Sequence, residues 1–188
     1  MTTTGTMQDV AVSAWSIDPA HSAAHFKVRH MGIAWVRGDF RISKGRLQWD
    51  EHNISGSNID VDIDPASVNS NEPKRDEHLR NPDLLDVERF PLMHFRSTSV
   101  SRSSSDQALV SGELTIHVVT RPVELKVTEI SPATKDPWGN IRFAATANTK
   151  FSRRDFGLTW NPVLEAGGVL VGDDVFVDLD VEFTRSGE

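Results

Sequence analysis

The chain of 188 residues contains no cysteine. That excludes a disulfide framework, a cysteine-ligated zinc site and a thiol nucleophile, but it does not fix the compartment. Long apolar runs are also missing. Nothing approaches the ~18 residues of a membrane-spanning helix, so stable membrane insertion is not expected. Basic excess is absent too, with a formal net charge of −7. Phosphate binding needs a basic face, which argues against a nucleic-acid partner. The same balance disfavours electrostatic attachment to anionic lipid. The opening MTTTGTMQDVAVSAW lacks the basic and apolar regions of a signal peptide. The expectation is a cytoplasmic protein, or a periplasmic one if a leader is missing from this sequence. There is no G-x-S-x-G elbow, no other recognisable triad motif and no glycine-rich loop opening a helix.

What is present is alternation with a period of two from Trp15 onward. Ala24, Phe26, Val28 and His30 alternate with His25, Lys27 and Arg29. Ile59, Val61 and Ile63 alternate with Asp60, Asp62 and Asp64. Similar runs include Val36 to Ile42, Met93 and Phe95, Val110 to Ile116, Val123 to Val127, Ile141 to Ala147, and Val175 to Phe183. These predict at least eight half-buried strands, and closure into a barrel removes their unpaired edges. Residues 70 to 91 break the pattern and read as one or two short helices. Ser70 or Asn71 is the expected first cap, and Asn81–Pro82 a second start. The expected fold is all-β, an eight-stranded antiparallel barrel with a short helical insertion around residues 71–88. Residues 1–13 read as a flexible tail, and 14–186 as one domain. Small inward residues such as Gly38, Gly112, Ala145 and Ala147 either leave room for an apolar ligand or accommodate neighbouring rings.

An ordered set of short motifs resembles the YceI-like family of bacterial lipid-binding proteins. It runs from Asp18, His21 and Ser22 through Phe26-x-Val28-x-His30, Gly38-x-Phe40 and Arg75-Asp76-x-His78-Leu79. It continues with Phe90-Pro91, Gly112-x-Leu114-Thr115-Ile116, Trp138-Gly139 and Arg153-x-Asp155-Phe156-Gly157. The resemblance implies an extended, lipocalin-like barrel whose apolar interior takes an isoprenoid chain, such as a polyprenyl pyrophosphate or a quinone tail. It also implies a link to stress responses and isoprenoid handling. Ala24 and Val118 depart from the family pattern, which leaves the particular ligand open.

The expected wall residues are Phe26, Val28, Phe40, Val61, Met93, Phe95, Leu114, Phe143, Val177 and Leu179, with Phe156 and Trp160 at the wall or mouth. His30 shares the apolar face by parity. It reads either as a core histidine tied to a buried acceptor or as a polar contact for a head group. His78 and Arg153 are the other head-group candidates, since a guanidinium near the mouth suits a pyrophosphate. For Arg75–Asp76 and Arg153–Asp155 structural anchoring is the leading reading. His21 and His25 are too far apart on a strand, about 13 Å, to share a metal, and no metal or other cofactor is expected. The run DVDIDPAS lacks the glycine and glutamate of a calcium loop and reads as a solvated acidic face. The leading expectation is therefore a non-enzymatic isoprenoid binder. The alternative is a hydrolase or isomerase using His30 or His78 with Asp76 or Asp155. A third reading is a solidly packed barrel acting as an interaction module. No motif specifies a homodimer, which stays open.

Overall fold

Alternation becomes strand throughout the computed structural model, which describes residues 13–50, 53–164 and 167–185. The strands are β1 Ser13–Ile17, β2 Ala23–His30, β3 Ala34–Trp49, β4 Asn58–Asn69 and β5 Met93–Arg102. They continue as β6 Ala108–Ile116, β7 Val119–Thr128, β8 Thr134–Lys135, β9 Ile141–Ser152 and β10 Val171–Arg185. Of the segment expected as a tail, only Ser13 is described, and it opens β1; residues 1–12 lie outside the described residues.

Eight strands close a ring in the order β10, β2, β3, β4, β5, β6, β7, β9 and back to β10, each pair antiparallel. Strand β1 bridges β3 and β10 at one end, here called the lower end, and β8 is a short addition to β9. The upper end carries the β2–β3 and β6–β7 turns and the β9–β10 connection. Two ladders are short. Strand β4 meets β5 only over Asp60–Ile63 opposite Met93–Arg96. Strand β7 meets β9 only over Lys126–Thr128 opposite Thr146–Asn148.

Above those ladders the strands part, and segments outside the sheet fill the gaps. Between β4 and β5 lies helix α1, Pro73–Arg80, followed by turns. Near β7 and β9 lies a 3-10 turn, Arg153–Phe156. Helix α1 is shorter than the expected insertion. Its cap is Glu72, whose side chain accepts from the Lys74 N–H at 3.2 Å. Ser70 is unavailable as a cap because its hydroxyl is bound to the buried Asp76 carboxylate. Asn71 adopts a left-handed φ of 62°. Pro82 biases the residue before it out of helical conformation, and Asn81 is extended at ψ 165°, so hydrogen-bonded turns replace a second helix.

Arg75 and Arg80 fasten α1 to the barrel. Arg75 donates from Nε to Ser70 Oγ at 2.7 Å. Arg80 donates to the Ala66 and Val68 carbonyl oxygens, both at 2.8 Å. The structural reading of Arg75 and Asp76 is the one the molecule uses.

Bulges shift the inward register. In β3 the buried series steps from Ile42 to Gly45 and Leu47, and in β5 from Phe95 to Val100. One extra residue reverses the facing of everything beyond it. Gly38 and Gly112 do not open space for a ligand. Each lies against an aromatic ring, Phe26 and Phe95 respectively.

Candidate binding site in the barrel interior

The inward faces enclose a cavity of about 280 Å³. A water needs roughly 10–15 Å³ by the same measure, so the space is more than an interstice. The barrel is therefore not packed solid. The wall is hydrophobic except for Ser57, Thr149 and Arg153. It includes residues from Phe183 near the lower end of β10 to Val175 near its upper end, about 26 Å at ~3.3 Å per residue.

The ten residues expected in the wall line this cavity. Strands β2 to β4 contribute Phe26, Val28, Phe40 and Val61. Strands β5 and β6 contribute Met93, Phe95 and Leu114, and β9 and β10 contribute Phe143, Val177 and Leu179. Phe156 and Trp160 are not part of the lining. Phe156 is 1% exposed and packs its ring edge-on against Phe151, with centroids 5.2 Å apart. Trp160 meets the His78 ring edge-on at 4.5 Å. This contact joins α1 to the β9–β10 connection.

Sequence reasoning missed Leu79, Leu84, Leu85 and Leu158 as cavity wall. Their only signal was leucine recurring inside an otherwise polar stretch.

His30 has the expected parity but lies above the cavity wall, at the last position of β2. It is half-buried, and its side chain has no hydrogen-bond partner among the described residues. No buried acceptor meets it among the described residues, because β2 ends there, beyond the residues that line the cavity.

Arg153 reaches the cavity wall, yet its guanidinium is occupied. Nε donates to Gly172 O at 3.0 Å, and one terminal nitrogen donates to the Leu158 and Trp160 carbonyls. The other donates to Val171 O at 3.3 Å and lies 3.1 Å from Asp173 Oδ1. Four of the five N–H groups of the fork thus donate to backbone carbonyls that follow it in the chain, while Asp173 Oδ1 is a charge neighbour without a hydrogen bond. Burial pushes its pKa down, while Asp173 opposes that shift. The partner is Asp173 rather than Asp155, which is exposed.

The pairs required by the enzymatic alternative do not meet. Asp76 is committed to Ser70, with the Ser70 N–H donating at 2.9 Å. His78 Nε2 lies 3.5 Å from Asp83. Neither His30 nor His78 hydrogen-bonds Asp76 or Asp155 among the described residues.

The lower end is held by charge. Arg142 pairs with Asp136 at 2.7 Å and with Asp18 and Glu182, both at 2.5 Å. Its hydrogen bonds are the largest cause holding Asp18 and Asp136 at a pKa of about 2, below the ordinary 3.8. The same three carboxylates raise the pKa of Arg142 further. His21 Nδ1 adds a contact to Asp18 at 3.1 Å. Asp18, His21 and Glu182 come close enough to suggest a metal cluster. The Arg142 guanidinium already neutralises its two carboxylates, so the group is an ion-pair network that organises the strand entrance.

The site is thus a closed antiparallel barrel around an apolar cavity, with an arginine–carboxylate network at its lower end. The chain belongs to the YceI-like domain family, whose model matches residues 15–183. A UPF0312 protein of Pseudomonas putida is 38% identical over 138 residues, covering 73% of this chain and 71% of the relative. A UPF0312 protein of Vibrio cholerae is 34% identical over 139 residues, covering 74% and 73%. Among solved structures, a Campylobacter jejuni YceI protein is similar with a TM-score of 0.66 and 27% identity, over 85% of this chain and 91% of that one. A polyisoprenoid binding domain from Saccharophagus degradans shares the fold, with a TM-score of 0.60 and 16% identity over 90% and 97%.

Proposed function

We propose that this protein binds a long-chain isoprenoid lipid in the barrel and carries, stores or sequesters it, without catalysing a reaction on it. The observation that carries this reading is the cavity with its nearly unbroken hydrophobic wall. Such a site recognises length and greasiness rather than a polar pattern. Each buried methylene contributes roughly 0.8 kcal/mol, so a long chain needs few polar contacts. The solved relative named as a polyisoprenoid binding domain supports the same reading. A polyprenyl pyrophosphate or a long-chain quinone fits, with its head group at the upper end. There His30 has a ring without a partner among the described residues, whereas four donors of Arg153 are taken by backbone carbonyls.

The test is native mass spectrometry of protein purified from its source organism, followed by lipid extraction and titration with a polyprenyl phosphate. Co-purifying isoprenoid and saturable binding are expected. Empty protein that also fails to bind the added lipid overturns the proposal.

A further inference from the structure

Seven large hydrophobic side chains are exposed among the described residues, and six of them lie at the upper end of the barrel. Met31 and Ile33 belong to the β2–β3 turn region, Leu92 precedes β5, and Val118 lies in the β6–β7 turn. Val163 and Val169 bridge each other in the β9–β10 connection. Only Trp138 is at the lower end. Ile33, Val118 and Val163 are 79%, 79% and 81% exposed. Single exposed apolar residues are ordinary, whereas a grouping at one end of a molecule marks an interaction surface.

These tips are physically joined. The Met31 N–H donates to Leu170 O at 2.8 Å, linking the β2–β3 turn to the β9–β10 connection. Phe90 stacks on His117 at 4.5 Å, and His117 Nε2 lies 2.7 Å from Leu85 O. Those contacts link the segment before β5 to the β6–β7 turn. Just outside the mouth, Arg29 lies 4.0 Å over the Trp35 ring. An amphipathic ring with a cation beside it suits the head-group depth of a bilayer. Beneath the same turns the cavity wall reaches Val28, Leu158 and Val175.

We propose that the upper end is a membrane-docking surface whose apolar tips enter the interfacial layer of a bilayer and set the cavity mouth against it. The tips are separate points on separate loops around a mouth. A fluid bilayer admits separate points, whereas a folded partner needs a matching hollow for each. The proposal rests on the lipid-binding reading above and supplies the source from which the lipid is drawn. Attachment is apolar rather than ionic. The chain carries a net charge of −7, and the segment between β4 and β5 exposes Glu72, Glu77, Asp83 and Glu88 against Lys74 and Arg89. Binding therefore persists at high salt and gains nothing from anionic lipid.

The experiment is flotation of the full chain with phosphatidylcholine vesicles, with and without added phosphatidylglycerol, beside Ile33→Asp, Val163→Asp and the double variant. Both positions are exposed, so thermal melting is expected to be unchanged and checks the fold. Wild type is expected to float at low and high salt, and each aspartate to lower the partition at least about tenfold. Three results overturn the proposal: no flotation, equal flotation of the double variant, or a solution dimer that the double variant converts to monomer. The last result assigns the tips to a second copy of the chain. Polyprenyl phosphate binding without vesicles is measured in parallel. Binding without flotation defeats docking alone, and flotation without binding defeats the cavity reading alone.

Discussion

The ring of Phe26 occupies the place where a side chain at Gly38 would begin. A Cβ there would lie 2.6 Å from Phe26 Cζ and 2.7 Å from Asn69 O. The two residues are direct cross-strand partners of β2 and β3. Phe95 does the same to Gly112, at 2.5 Å. Gly38→Ala is expected to lower unfolding stability by about 1–3 kcal/mol through overpacking. Adding Phe26→Leu is expected to recover only part of that loss, because the Asn69 carbonyl remains in the way. Urea unfolding of the two single variants and the double variant reads the coupling, and strict additivity would refute the contact.

Arg153→Lys keeps the charge but loses the fork that holds four backbone carbonyls. A lysine has three donors from one point and cannot reach carbonyls on both sides of the loop. The expected loss is about 2 kcal/mol or more. It should appear as a lower urea midpoint with unchanged slope. Stability equal to wild type would contradict the anchoring role.

Asp18 and Asp136 give the lower end an acid limit. Their folded pKa values of about 2 lie below the ordinary 3.8. A depressed folded pKa contributes stability that is fully present above the unfolded value and is lost as pH falls through the folded one. The window therefore runs from 3.8 down to about 2. In Arg142→Met both carboxyl groups are expected to titrate closer to 3.8 by carbon-detected NMR. The difference in melting temperature between variant and wild type should shrink across that window. Unchanged titration near 2 in the variant would remove Arg142 as the cause.

A cavity that recognises length predicts a ladder of affinities. Across a series of isoprenoid or alkyl chains, Kd is expected to fall about fourfold per added methylene and then level off when the cavity is full. Ala147→Phe projects a ring from the wall and is expected to move the plateau to shorter chains. Isothermal titration of the series on both proteins checks this. Affinity independent of chain length would point to a head-group site instead.

The wall was readable from sequence because strand parity is a local property. Phe26, Val28, Val61, Phe95 and Leu179 each follow from their neighbours alone. Parity fails where a bulge intervenes, as between Ser97 and Ser99, because an extra residue leaves no mark in composition. It also could not decide between space and packing at Gly38, which depends on a ring on another strand. Arg153 shows the same limit. Its charged partner is Asp173 across the β9–β10 connection, while the sequence offered Asp155 two positions away. The cavity contributions of Leu79, Leu84 and Leu85 come from a segment outside the sheet, where alternation carries no information. Parity put His30 on the inward face but left its depth open, because the pattern does not say where a strand stops.

The two short ladders divide the barrel mechanically into panels. Strands β5, β6 and β7 form one, and β9, β10, β2, β3 and β4 form the other. Along the upper half, the panels are separated by helix, turn and leucine contacts rather than by continuous backbone hydrogen bonds. The lower end is riveted by Arg142 and its carboxylates, whereas the upper end is closed in part by the contact between His78 and Trp160. Such a construction yields at the seams first, like a clothes-peg hinged below. Parting there separates the panels without melting either one. Amide protons beside the seams should accordingly exchange ahead of those in β6, which is paired along its length on both sides.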